Sequence, residues 1–196
     1  WRGETGPARG RRSRWTTAPE CGQDQESEIT VPLEDVYHGA TRNITLQVQA
    51  VDENGHVRRS IRQYEVRIPR GMTDGARIRL SGQGGAGVEG GPAGDLYLRV
   101  HIEPHPVFRV NRHDLEADLP LAPWEAALGA AVHVPTMEGE ASVRIPAGTQ
   151  SGQRIRLRGK GLPKRSGEGR GDLHSVVKIV VPPHLSGREK DLFEEL

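Results

Sequence analysis

An all-β architecture, mainly two tandem β-sandwich or barrel-like domains with short helical turns and a C-terminal helix, is what this sequence predicts. Three observations carry that reading. Residues 66 to 84, "VRIPRGMTDGARIRLSGQG", return at 143 to 161 as "VRIPAGTQSGQRIRLRGKG", identical at twelve of nineteen positions. The same offset of 77 continues to Gly94-Asp95-Leu96 and Gly171-Asp172-Leu173, so one unit occurs twice, too few copies for a solenoid. Apolar residues alternate with polar ones over short runs, the period of a half-buried strand. The 25 glycines and 14 prolines fall between those runs, as turns between strands require.

Taken in order, residues 1–27 are rich in Arg and Gly without periodicity ("WRGETGPARGRRSRW") and read as a disordered or linker-like arm. A first β-domain is expected over 28–110. Ile29/Val31/Leu33 and Ile44/Leu46/Val48/Ala50 alternate, and Asn54-Gly55 signals a hairpin to the run at 61–68. Ile78/Leu80 and Leu96/Leu98/Val100/Ile102 complete it. A second β-domain is expected over 111–183, from Leu115/Ala117/Leu119/Leu121, Val143/Ile145 and Ile155/Leu157. "PLEDVYHGA" and "APWEAALGA" each read as one or two helical turns closed by a glycine, and 184–196 as the start of a true helix.

Composition removes several function classes. A formal charge of +1 carries no strong field toward nucleic acid or membrane, and no apolar run approaches ~18 residues. The single cysteine, Cys21, forms no internal disulfide or Cys-rich zinc site and suits a reducing, cytoplasmic compartment. Gly82, Gly84 and Gly87 match the dinucleotide spacing G-x-G-x-x-G, but "VEGGPAGDLYLRV" follows where that motif needs a helix, so the glycines read as a turn. "HIEPH" puts Glu103 one place late for a zinc protease, and on a strand His101 and His105 stand ~13 Å apart, too far to share a metal. No nucleophile elbow is present, so no enzyme activity, catalytic residue, metal site or cofactor is expected. The arginines of "VRIP" and "RIRL" alternate with apolar residues, which gives a basic strand face that could meet phosphates or acidic tails, with plain solvated surface as the simpler reading.

Four strings in order, "VPLEDVYHGATRNITL", "VRIPRGMTDGARIRLSGQG", "GGPAGDLYLRVHIEPHPVFRVNRHDLEADLPLAPWEAALG" and "VRIPAGTQSGQRIRLRGKGLP", resemble the C-terminal substrate-binding region of DnaJ-family (J-domain) co-chaperones. The match is to the bacterial curved-DNA-binding branch. A short "DENG" stands where zinc-containing members insert their Cys-rich module, so the resemblance is to the zinc-free class. The J-domain's His-Pro-Asp signature is absent from these residues.

The resemblance implies a region that holds unfolded, extended polypeptide clients and delivers them to a DnaK-type chaperone. It implies a groove at Ile29, Ile44, Leu46 and Leu98, and contact of a partner's acidic tail with Arg42, with Thr45 and Ile61 standing where relatives can carry lysine. It further implies a homodimer in the full-length protein, no membrane partner, and the bacterial cytosol or nucleoid as location. The alternative is architectural DNA binding, suggested by that branch and by the Arg-rich segment 2–14.

Overall fold

The computed structural model describes residues 20–51, 57–87, 90–164, 167, 169–184 and 186–195; the arm before residue 20 and the Asn54-Gly55 turn lie outside them. The fold is strand-built. Its elements run β1 (Gln25–Val31), α1 (Leu33–His38), β2 (Ala40–Val51), β3 (Val57–Ile68), β4 (Arg77–Leu80), β5 (Leu96–Ile102), β6 (Phe108–Asn111) and β7 (Asp114–Leu121). They continue as α2 (Pro123–Leu128), β8 (Ala130–Thr136), β9 (Gly139–Ile145), β10 (Arg154–Leu157), β11 (Leu173–Ile179) and α3 (Gly187–Glu194). Strand, short helix, long hairpin and two further strands therefore occur twice in the same order, with β6 between the copies.

The described residues divide into two compact units. One takes those of Trp1–Glu26, Gln47–Ser60 and Arg79–Tyr97; the other takes those of Ser27–Leu46, Ile61–Ile78 and Leu98–Leu196. Sheet order is β1-β5-β4 in the first copy and β10-β11-β7-β6 in the second, and the hairpins β2-β3 and β8-β9 form two-stranded sheets. In the second copy β11 runs parallel to β7, with Leu173 opposite Leu115 and Ile179 opposite Leu121, while β10 and β6 pair antiparallel on either side.

Alternation places the core. Leu96, Leu98 and Val100 of β5 are buried, as are Leu115, Ala117, Leu119 and Leu121 of β7 and Leu173 and Val177 of β11. Each such leucine contributes about 1.5–3 kcal/mol relative to leaving it in water. The expected strand Ile29/Val31/Leu33 ends early, because Pro32 caps α1 and Leu33 becomes its first residue, still buried at 1% exposure. Strand β6 was not expected; it pairs with β7 through Phe108–Ala117 and Val110–Leu115. The hairpins differ in length, with 12-residue strands in the first copy and 7-residue strands in the second.

The repeated glycines are explained by one construction made twice. After β4, Gly82 turns with φ 68°, and Gly84 lies so close to the 94–95 backbone that a Cβ on it would sit 2.5 Å from the Asp95 carbonyl oxygen. Gly84 N–H donates to Gly94 O and Gly94 N–H to Gly85 O, at 2.7 and 2.9 Å. After β10, Gly159 turns with φ 66° and Gly161 repeats the close approach, its Cβ position 2.6 Å from Gly171 C. Gly161 N–H donates to Gly171 O and Gly171 N–H to Leu162 O, each at 2.9 Å.

Gly161→Ala forces a Cβ into backbone atoms and is expected to cost about 1–3 kcal/mol. Gly187→Ala, whose added Cβ meets nothing within 4 Å, is expected to leave stability unchanged. Urea unfolding followed by circular dichroism compares them; equal midpoints would remove the close-approach account.

Candidate functional site

Each G-x-G turn is held by an aspartate. Asp95 accepts from Gly82 N–H (2.9 Å) and from Arg79 Nε (2.6 Å), while its own N–H donates to Asp24 Oδ1 (2.7 Å). Asp172 repeats this with Gly159 N–H (2.8 Å), Arg156 Nε (2.6 Å) and Asp114 Oδ1 (2.8 Å). Both carboxyls lie below the ordinary carboxylate range, chiefly because a backbone N–H stabilises the anion and an arginine adds to it.

This corrects the basic strand face read from "RIRL". Arg79 and Arg156 are spent on Asp95 and Asp172, and Arg154 pairs with Glu116 at 3.2 Å. Neighbouring strands supply the acids. Asp114, Asp172 and His174 place one ligand atom each within 4.8 Å of one another, but the Asp114 Oδ1 and both Asp172 oxygens already serve the aspartate pin.

The residues expected to form a client groove separate into two environments. Ile29 on β1 and Leu98 on β5 close into the core, at 5% and 0% exposure. Ile44 and Leu46 on β2 are half-buried, Thr45 between them is exposed, and Ile61 on β3 is 70% exposed. Arg42, at the start of the same strand, is committed to α1: Nε and Nη2 donate to the two oxygens of buried Asp35 at 2.6 and 2.9 Å. Its side chain remains 55% exposed.

Helix α1 also presents Tyr37, a residue the sequence did not single out. Arg170 Nη1 donates to Tyr37 Oη at 2.7 Å and to Glu138 Oε1 at 2.5 Å, its guanidinium lies 5.3 Å from the Tyr37 ring centroid, and Lys160 Nζ donates to Glu138 Oε2 at 3.0 Å. Hydrogen bonds from Arg170, Lys160 and Tyr37 lower the Glu138 carboxyl to about 2. Burial, then the Glu138 contact, pushes the Tyr37 phenol up. Tyr37 and Arg170 are 133 residues apart, and no local pattern announces the pair.

Beside this cluster an open cleft of about 730 Å³ is lined by Arg67, Arg70, Lys164 and Arg170 between Pro69 and Pro163. A second recess, apolar and about 570 Å³, lies between α2 and α3 along Trp124, Leu128, Leu192 and Phe193. The Trp124 and Phe193 rings are 6.0 Å apart, and Leu128 is 79% exposed. Helix α3 starts on a capping box in which Ser186 Oγ accepts from Glu189 N–H and Glu189 Oε2 accepts from Ser186 N–H.

His105 holds a turn and His101 sits on a strand. His105 Nδ1 accepts from the N–H groups of Val107 and Phe108, both at 3.1 Å, its Nε2 faces Glu34 at 3.2 Å, and its ring stacks on Phe108. His101 lies on β5 beside Asp74 and Glu28, at 3.6 and 3.8 Å.

A strand-built domain made by repeating one pinned sheet-and-loop unit is thus the class this geometry defines. The chain belongs to the DnaJ C-terminal domain family, whose model matches residues 25–182. It is 44% identical over 190 residues to the Curved DNA-binding protein of Coxiella burnetii (strain RSA 493 / Nine Mile phase I), covering 95% of this chain and 60% of that one. It is 44% identical over 190 residues to the Curved DNA-binding protein of Serratia proteamaculans, covering 96% and 61%. Against that of Salmonella arizonae it is 47% identical over 176 residues, covering 89% and 57%. The chain spans about 60% of the length of these curated relatives. Membership makes it part of a co-chaperone family and of no known enzyme family, and no described helix is long and apolar enough to cross a membrane.

The depressed carboxyls fix the sign of an acid response. Glu138 and Asp118, both held at about 2 by the cations that hydrogen-bond to them, stabilise the fold above the ordinary carboxylate range, and the contribution is lost as pH falls toward 2. Glu138→Gln is expected to be less stable than the parent at pH 6, with the gap narrowing toward pH 2. Urea midpoints across that range measure it; a constant gap would contradict it.

Proposed function

We propose that this chain is the part of a co-chaperone that holds extended apolar segments of unfolded polypeptides and passes them to a DnaK-type chaperone. The observation carrying the reading is the β2-β3 sheet, where Ile44 and Leu46 stay half-buried and Ile61 is 70% exposed. Partly exposed apolar side chains on a two-stranded sheet suit a ligand that adds as a further strand and seats alternate side chains. Ile29 and Leu98 act from the core as support, and the exposed part of Arg42 offers charge to a partner's acidic tail. The apolar recess along Trp124, Leu128, Leu192 and Phe193 suits a self-association surface, consistent with a homodimer of the full-length protein. The setting is the bacterial cytosol or nucleoid.

A second reading is DNA binding, drawn from the name of the bacterial relatives, the Arg-rich segment 2–14 and the basic cleft.

Suppression of a model client's aggregation tests the first reading. Ile44→Asp with Leu46→Asp is expected to raise the amount of protein needed for half-protection about tenfold, the equivalent of about 1.4 kcal/mol, with the melting curve retained. Leu98→Ala is expected instead to lower stability by about 2–5 kcal/mol. Full protection by the folded double variant would eliminate β2 as the client surface.

A further inference from the structure

We infer that Tyr37, Arg170 and Glu138 form a clasp that fixes the root of the β2-β3 sheet to the second copy of the repeat, making that copy the mount of the proposed client surface. The mount rests on the client reading above; the clasp does not. Both sides of the clasp lie in one compact unit, the one that takes the described residues of Ser27–Leu46 and Ile61–Ile78 together with those of Leu98–Leu196.

Distant segments meet in it. Tyr37 lies on α1 at 1% exposure, Glu138 stands at the turn of the β8-β9 hairpin, and Lys160 and Arg170 belong to the connection between β10 and β11. Arg170 Nη1 donates to both Tyr37 Oη and Glu138 Oε1, Lys160 Nζ donates to Glu138 Oε2, and the Arg170 guanidinium lies against the Tyr37 ring. An isolated exposed ion pair contributes little, but here the phenol is buried and its hydroxyl takes its partner from the other copy.

From α1 the hold passes to both strands of the hairpin. Asp35 takes Nε and Nη2 of Arg42 at 2.6 and 2.9 Å, which ties the start of β2 to the helix. Ile44 and Leu46 come next on that strand. Past the end of β3, Gly71 N–H donates to Val36 O at 2.9 Å, and a Cβ on Gly71 would stand 2.1 Å from Pro163 O of the second copy. Entry and exit of the hairpin are thus both secured, and a surface ordered in advance loses less entropy when a ligand adds to it.

The repeat by itself does not account for this device. By helix position Tyr37 corresponds to Ala127, which has no hydroxyl, and Asp35 to Glu125, whose carboxylate instead accepts from Ala122 N–H at 2.8 Å. By the offset of 77, Gly71 corresponds to Gly148, where an added Cβ would meet nothing within 4 Å. A feature built at one copy answers a need of that copy, and the first copy differs in its long hairpin, with 12-residue strands against 7. A two-stranded sheet standing alone is marginal in water and needs backing.

Hydrogen exchange of the full chain, read by mass spectrometry, tests the clasp, and suppression of a model client's aggregation tests the mount. Arg170→Met is expected to speed exchange about tenfold in peptides covering 33–46 and 61–72, with those covering β7 and β11 unchanged. Tyr37→Phe keeps the buried ring and removes only the hydroxyl, and is expected to act on the same peptides to a smaller degree. Arg170→Met is also expected to raise the amount of protein needed for half-protection about threefold, less than Ile44→Asp with Leu46→Asp does. Unchanged exchange at 33–46 and 61–72 in both clasp variants overturns the clasp, as does an equal rise in β7 and β11, the mark of general destabilisation. Faster exchange in the expected peptides, with protection lost in the β2 double variant but full in Arg170→Met, overturns the mount. Faster exchange there, with protection indifferent to every variant, upholds the clasp and removes the client reading instead.

Discussion

The carboxylate that joins a tight glycine turn to an arginine on the preceding strand is the constraint on which the architecture rests. In each copy one aspartate collects the N–H of a left-handed glycine and an arginine Nε, while its own N–H reaches a second aspartate. That fixes where β4 stops relative to β5, and β10 relative to β11. With the turn fixed, the alternation of each G-D-L strand can send its leucines only one way, into the core. Sheet, loop and core are consequences of the same few atoms.

Charge pairing and function are linked by subtraction. The RIRL arginines Arg79, Arg154 and Arg156 are neutralised in place, whereas Arg67 of the first VRIP stays exposed beside the cleft with Lys164. Likewise, among the apolar side chains that the core leaves exposed are Ile61 of β3 and those of the α2-α3 recess. What a duplicated scaffold leaves unsatisfied is where binding is to be sought.

The sequence made the fold legible because the signals it rests on are local. Period-two alternation marks strands within a few residues, and the G-D-L repeat carries the pinning aspartates in plain view, although their role lies in contacts made only in the fold. Strand β6 escaped notice because four residues with a single Phe and a single Val set no period. Leu33 belongs both to the alternating run with Ile29 and Val31 and to the helical stretch that opens at Pro32, and alternation by itself does not say which wins; the fold makes it the first residue of α1. Ile29 and Leu98 could not be told from Ile44 and Leu46, since alternation reports a face and says nothing about what covers it. The Tyr37, Glu138 and Arg170 cluster was illegible for a different reason: its members come from three distant segments, each unremarkable alone.

A chain that carries nearly the same strand twice must also avoid pairing the wrong halves, a hazard of repeated domains during folding. The divergence at one loop position bears on this. Gly85 sits where an added Cβ would be 3.0 Å from Gln23 O, whereas its counterpart Leu162 is fully enclosed in the second copy. Leucine would not fit the first loop, and glycine would leave a hole in the second. The two halves are alike enough to share a construction and different enough at that residue for the chain to tell its own copies apart.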